Sequence, residues 1–390
     1  MVALNLTASL QATEPPQTTE ILSFGRTFGG AGADEGNYVE QTSDGGYVAT
    51  GLISSKGEGV WDTWLVKVDD RGAEQWSGTY GISEGRYEGG EVVQQTADGG
   101  YIIVGSVLSE APTDYNVRLI RTTANGRQIW SRLYGGNGWD WGRFVRETPD
   151  GGFIVTGSVD SLATGSSDLW LFKTDAYGEM QWSRTFGGIE NDHANCVQPT
   201  PDGGYILTGA TTSYSIGADD LWIIKTDAVG ATQWMLTFGG YSFDEGFFVE
   251  PISDGNYIVL GTTSSRGAGR SDAWLIKLTA GGSMVWSQTL GGPEWDWGST
   301  VHETHDGGFI ITGTTFSSGA GSSDVWLLKT DSRGQQLWSR TFGGNGLDFG
   351  LAGQPTTDGG YIIVGRTYSY GAGNSDLWLI KTDSQGHATF

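Results

Sequence analysis

The sequence predicts an all-β protein, a seven-bladed β-propeller, and three observations carry that expectation. An Asp-Gly hairpin signal recurs at Asp44, Asp98, Asp150, Asp202, Asp254, Asp306 and Asp358, spaced by 54 residues and then five times by 52. Each unit holds four short β-patterned runs separated by turn chemistry. The two ends of the chain carry complementary parts of one unit. Repeats of this length with four antiparallel strands stack radially into one closed body.

In the sixth unit the runs are residues 299–304, 308–315, 324–330 and 335–342, rich in the Val, Ile, Thr, Trp and Phe that pleated strands prefer. Asp306-Gly307 reads as a tight hairpin with positive φ at both positions. Asp331, Ser332, Arg333 and Gly334 read as a longer turn whose glycine takes the left-handed place. From each hairpin aspartate, 32 residues lead to an aromatic: Trp76, Trp130, Trp182, Trp234, Trp286, Trp338 and finally Phe390. The last unit is therefore expected to run out of chain partway through its fourth strand. Residues 21–30 match the LWSRTFGG segment of the other units, with Phe24 in the Trp position. That segment is expected to supply the outer strand of blade seven and leave no open sheet edge. The expected division is a polar tail over residues 1–18 and one propeller over residues 19–390.

Composition agrees and narrows the partners. The 65 Gly and 9 Pro fit a turn-rich chain, and 17 Trp, 15 Tyr and 15 Phe supply apolar area for a large core. A net charge of -23, with only 22 Lys and Arg, opposes nucleic acid and anionic membrane surfaces as partners. A cation, a basic protein or a neutral ligand stays open. Cys196 is the single cysteine, which excludes an intrachain disulfide and a multi-cysteine metal site. Residues 1–18 lack the basic and apolar segments of a complete signal peptide. No run approaches the roughly 18 apolar residues of a membrane span.

The recurring aspartate, short turn, glycine and tryptophan, as in KTDSRGQQLW and KTDAYGEMQW, resemble the tryptophan-docking motifs of bacterial propellers related to quinone-dependent dehydrogenases and outer-membrane assembly lipoproteins. The DGGYII and SDxWLIK segments are similar to repeats of bacterial and archaeal secreted or surface propellers. The resemblance spans residues 20–390. It implies the propeller fold and an extracellular or cell-surface place, while a cytoplasmic one stays open. It does not imply one function, because such repeats serve enzymes and adhesive modules alike. Quinone catalysis is disfavoured, since those enzymes resemble eight-bladed rings.

Comparing the units with one another separates scaffold from site. Twelve tryptophans occupy two repeat positions: the six named above, and Trp64, Trp170, Trp222, Trp274, Trp326 and Trp378 in the third strands. These are expected to pack. Five are off register. Trp139, Trp141, Trp295 and Trp297 fall in WDW turns entering the inner strands of blades three and six, and Trp61 falls between the second and third strands of blade one. Loops of both kinds follow even-numbered strands, so all five are expected on one face. Tyr87, Phe243 and Phe349 occupy matching entrance positions, and Tyr115 sits at the level of Trp61. Aromatic faces around a funnel suit stacking on sugars or a protein hot spot. The alternative is local packing between blades.

An acid precedes each inner strand: Asp34, Glu88, Asp140, Asp192, Asp244, Asp296 and Asp348. No metal or cofactor is expected, although Asp140, Asp192, Asp244 and Asp296 are the alternative should a divalent ion bind. Repetition favours carboxylates that accept backbone N–H bonds in the entry turns. The basic ring of Lys67, Arg121, Lys173, Lys225, Lys277, Lys329 and Lys381 is expected to be ion-paired scaffold. Blade three departs with Arg143 and Arg146, which would clamp a carboxylate or pair with Glu91 or Glu147. Blade two places Arg118 in a Trp position. His193 and Cys196 form neither a zinc site nor a convincing nucleophile and base, and His302 lies on an inner strand.

The sequence thus favours a non-catalytic binding propeller whose aromatic, acidic funnel face takes a glycan or a protein, through Trp61, Tyr87, Tyr115, Trp139, Trp141, Trp295 and Trp297. Two alternatives stand beside it. One is a polysaccharide lyase or hydrolase using Arg143, Arg146, His193 and His302. The other is a structural subunit of a larger assembly.

Overall fold

A computed structural model describes residues 22–390 apart from 57–59, 83–86, 109–113, 161, 164 and 165, so the expected tail over 1–18 lies outside the described residues. Twenty-eight strands, β1 to β28 in chain order, form seven four-stranded antiparallel sheets, with no helix among the described residues. Six sheets take four consecutive strands each. The seventh sets β1 (Phe24–Phe28) beside β28 (Asp376–Thr382), then β27 (Tyr361–Thr367) and β26 (Asp348–Pro355), which joins the two ends of the chain and closes the ring. In it Phe24 stands opposite Lys381. Trp76 stands opposite Lys67 in the same way in blade one.

The C-terminus differs from the expectation. Because β1 already takes the free edge of β28, the residues after Thr382 form a turn and no fourth strand. Phe390 instead packs its ring 5.7 Å from Trp378 and 6.1 Å from Phe342.

Blades are joined through the outer-strand aromatics. The Trp76 ring lies 5.8 Å from Tyr101 of the next blade, and its Cζ3 is 2.6 Å from where a Cβ on Gly126 would stand. Trp130, Trp182, Trp234, Trp286 and Trp338 meet the turn glycine of their own next blade in the same way, and Phe24 meets Gly72. Only glycine fits here, since each position has positive φ and an aromatic ring against it. The third-strand tryptophans are buried, from 1% to 4% exposed.

The hairpin turns differ from the expected type. Gly307 has φ of 74°, while no residue other than glycine has positive φ among those described. Gly307 N donates to Thr304 O at 2.8 Å and Thr304 N to Gly308 O at 2.9 Å, a turn with one left-handed residue. Asp306 keeps ordinary φ because its carboxylate accepts locally, from the Thr304 hydroxyl at 2.6 Å and Gly308 N at 3.1 Å. The basic ring is paired as expected. Its seven members reach the hairpin aspartates of their own blades at 2.5 to 3.0 Å.

Candidate functional site

Inner strands begin earlier than the sequence pattern places them. β22 spans Asp296–Glu303 and β10 spans Trp141–Glu147, so Trp141 and Trp297 stand on strands and not in turns. Each entry acid anchors the start of its strand. Asp34 accepts from Gly30 N at 2.7 Å, Ser54 N at 2.9 Å and the Ser55 hydroxyl at 2.6 Å. These acids are almost fully buried, at 0% to 1% exposed, so they do not line the funnel mouth. Asp140, Asp192, Asp244 and Asp296 each sit in their own blade, and no group of three or more His, Cys, Asp or Glu converges among the described residues.

Just inside the entrance, every inner strand slips register by one residue against its neighbour. Such a bulge leaves one residue unpaired and re-aims it. All seven of these residues, Asn37, Glu91, Arg143, Asn195, Phe247, Ser299 and Leu351, border an axial cavity of about 350 Å³. Its floor is aromatic. Tyr38 lies 5.9 Å from Phe144, and Phe144 lies 5.8 Å from Phe248, so side chains of blades one, three and five meet across the axis.

Two aromatic clusters flank this cavity. On one side Tyr115 stacks on Trp141 at 4.4 Å and 20°, with Trp139 edge-on at 5.9 Å and Tyr87 at 6.1 Å. Trp61 joins through a backbone bridge to Tyr87. Across the ring Trp295 and Trp297 stack at 6.2 Å and 22°, and Phe316 packs edge-on 5.4 Å from Trp297. Phe349 lies 6.5 Å from Phe316 and carries the Arg366 guanidinium over its face at 4.5 Å. Trp139 and Trp295 are the open members, 53% and 44% exposed.

The four candidate polar residues do not act together. Arg143 and His193 border a second cavity of about 400 Å³, between blades three and four, with Trp139 and Trp141 in its wall. Arg143 reaches Glu91 at 3.8 Å and sits 5.7 Å over the Trp141 ring. His193 Nε2 contacts Glu245 Oε1 at 2.8 Å, and Asn195 donates to the same oxygen at 2.8 Å. Burial acts to raise the Glu245 carboxyl, but His193 and Asn195 outweigh it and hold the group below the usual range. Arg146 and His302 border neither cavity. Arg146 stacks on Phe144 at 4.4 Å and donates to the Tyr38 hydroxyl at 2.8 Å and Gln198 at 3.2 Å. His302 Nδ1 contacts Glu250 at 2.9 Å. The two arginines therefore share no partner, and Glu147 pairs with neither among the contacts seen: it accepts from Ala97 N at 2.8 Å. Cys196 is buried, its thiol pushed up to about 12 mainly by desolvation, which leaves it a poor nucleophile.

Sequence reasoning missed Phe316, Arg366, Arg270 and Glu245. Arg270 lies 5.7 Å over Trp295, and Arg366 pairs with Glu35 at 2.9 Å. Arg366 was visible as a departure, since the other blades carry small polar or aliphatic residues there, whereas the position of Phe316 is aromatic again in blade seven, at Tyr368. Chemically, the face offers stacking surfaces, two loosely held guanidiniums, Arg143 and Arg270, and one histidine–carboxylate pair.

No protein-family model matches the chain, and no curated protein sequence matches it. Among solved structures it is similar to the Pan2 WD40 domain of Neurospora crassa, at 12% identity and a TM-score of 0.53, covering 89% of each chain. It is similar to Sqt1 from Chaetomium thermophilum at 11% identity and a TM-score of 0.50, covering 95% of this chain and 85% of that one. It also resembles a puromycin hydrolase at 15% identity and a TM-score of 0.50, covering 89% of this chain but 52% of that one. These likenesses establish the propeller, a fold typical of binding and interaction scaffolds.

Proposed function

We propose that the funnel face is a binding surface and that its ligand is a carbohydrate. The observation that carries this reading is the pair of open tryptophans, Trp139 and Trp295, each held edge-on or stacked against further aromatic rings on nearly opposite blades. Rings fixed in this way present flat apolar faces at little entropic cost. A sugar ring has an apolar face to lay on each, and the polar residues of the axial cavity offer hydrogen bonds to its hydroxyls. Arg143, 42% exposed, adds a place for a carboxylate-bearing sugar.

The test is an intrinsic-fluorescence and thermal-shift titration with neutral and acidic oligosaccharides. Trp139→Ala and Trp295→Ala should weaken binding at least tenfold, about 1.4 kcal/mol, while Tm stays within a few degrees of wild type. A ligand that binds both variants as tightly as wild type would place its site elsewhere.

One observation favours a second reading, a lyase or hydrolase. His193 and Glu245 form a hydrogen-bonded pair at the edge of the cavity that Arg143 borders, an arrangement suited to proton transfer beside a bound uronate. Failure to depolymerise a panel of acidic polysaccharides would remove it.

A further inference from the structure

Successive blades, other than two and three, meet at two buried carboxylates. One opens the third strand of a blade, and the other opens the inner strand of the next. Between blades five and six these are Asp272 and Asp296, each 1% exposed. Gly291 passes between them: a Cβ there would stand 2.0 Å from Asp272 Oδ1 and 3.0 Å from Asp296 Oδ2. The arrangement repeats with Asp220 and Asp244 around Gly239, at 2.0 and 2.9 Å, and with Asp324 and Asp348 around Gly343, at 1.9 and 2.9 Å.

The entry acids find donors on both oxygens in two of these places. Asp296 accepts from the Thr315 and Ser317 hydroxyls and from Gly292 N, and Asp348 accepts from the Thr367 and Ser369 hydroxyls and Gly344 N. The third-strand acids do not. Asp220 Oδ1, Asp272 Oδ1 and Asp324 Oδ1 are buried with no hydrogen-bond partner, and so is Asp244 Oδ1. A buried anionic oxygen facing a second carboxylate calls for a compensating positive charge.

Blade two shows such compensation built into the chain. Between blades one and two, the Arg118 guanidinium stands where the repeat otherwise has an indole. Its Nη1 donates to Glu88 Oε2 and to Tyr80 O, both at 2.5 Å, and its charge is also felt by Asp62. Its Nε donates to Ser131 Oγ at 2.9 Å, the bond that Trp326 Nε1 makes to Ser339 Oγ at 2.7 Å in blade six. At the next boundary Asn116 replaces the aspartate, and its Oδ1 faces Asp140 Oδ2 around Gly135. One boundary has gained a cation and the other has lost an anion.

We propose that the boundaries between blades four and five, five and six, and six and seven each bind a hard divalent cation, with calcium the best match. The ligands are the partnerless oxygen of the third-strand aspartate, the entry aspartate, and the carbonyl of Phe238, Leu290 or Phe342. Leu290 stands opposite Ala273 as Tyr80 stands opposite Thr63, so its carbonyl corresponds to the one that Arg118 uses. Two carboxylates with backbone oxygen and water form an all-oxygen set of the kind calcium takes, without the nitrogen and sulfur that zinc prefers.

The experiment is to strip the protein with chelator, equilibrate it in about 1 mM calcium, within the range of extracellular calcium modules, and measure bound metal by mass spectrometry. Three calcium ions per chain are expected, with a rise in Tm, and Asp220→Asn, Asp272→Asn and Asp324→Asn should each remove one. Asn116 shows that the fold accepts asparagine at this position, and circular dichroism would check each variant. Less than one ion per chain would overturn the proposal. So would a stoichiometry that the three substitutions leave unchanged, which would mark diffuse binding to an acidic surface. Stabilisation by Asp272→Asn in chelator without any calcium uptake would assign the pair a shared proton instead.

Discussion

Arg118 Nη1 lies 2.5 Å from Glu88 Oε2, with the two side chains 3% and 0% exposed. In the other blades a tryptophan and an aspartate hold these two places, so blade two has exchanged an apolar contact and a shorter acid for an internal ion pair. Burial acts first to lower the arginine, and Glu88 and then Asp62 act to keep it charged. Breaking a buried pair on one side costs about 3–5 kcal/mol, because the remaining charge stays in a dry place. Arg118→Met should therefore lose stability in that range in urea unfolding. The double change Arg118→Trp with Glu88→Asp restores the common repeat and, in about 1 mM calcium, should fall within about 1 kcal/mol of wild type. Equal losses in both variants would contradict the exchange.

The glycines of blade two separate two costs that usually come together. Gly99 has φ of 82° with nothing within 4 Å of where a Cβ would stand, whereas Gly126 has φ of 78° and the Trp76 ring at 2.6 Å. Gly99→Ala should cost about 1 kcal/mol from backbone strain alone. Gly126→Ala should cost at least about 1 kcal/mol more, because the ring that joins blade one to blade two must shift. Equal losses would show that this inter-blade contact contributes little.

Acid stability should follow the hairpin aspartates. For Asp202, burial acts to raise the carboxyl, but the Lys225 ammonium, the Thr200 hydroxyl and Gly204 N–H outweigh it and hold the group at about 2. Asp150 and Asp306 are held at about 2 by Thr148 with Lys173 and by Thr304 with Lys329, again against burial. A carboxylate with a folded pKa below its unfolded value of about 3.9 stabilises fully above that value and loses the contribution as pH falls through the folded one. Tm should drop between about pH 4 and pH 2, and Asp202→Asn should make that drop shallower. These aspartates are about half exposed, so added salt should shrink the effect.

Much of the fold was legible because its signals are local and repeated. The Asp-Gly spacing set the blade count, and Phe24 in a tryptophan position revealed the closing strand, which pairs as its counterparts do. The inner-strand starts were not legible, since Gly, Asp and Trp-Asp stretches look like turns until an inter-blade bond such as Asp296 N to Ser271 O at 2.8 Å fixes them. The aromatic floor was hidden for a related reason. A one-residue bulge exchanges which side chains face the axis, and Tyr38, Phe144 and Phe248 reach it only after that slip.

At the candidate site, the off-register tryptophans stood out because every other blade supplied a comparison. The arginine partners did not. Arg146 meets Tyr38 across 108 residues of sequence, a contact that only ring closure creates. Arg118 looked like an irregularity until its position beside Glu88 and Asp62 gave it a role.

The most direct measurement is hydrogen-exchange footprinting of the protein saturated with the tightest-binding oligosaccharide from the titration. The account predicts slowed exchange in residues 139–143 and 295–299, around the two aromatic clusters, with the seven hairpin turns on the opposite face unchanged. Protection confined to those hairpin turns, or to the outer strands, would contradict a binding surface on the funnel face.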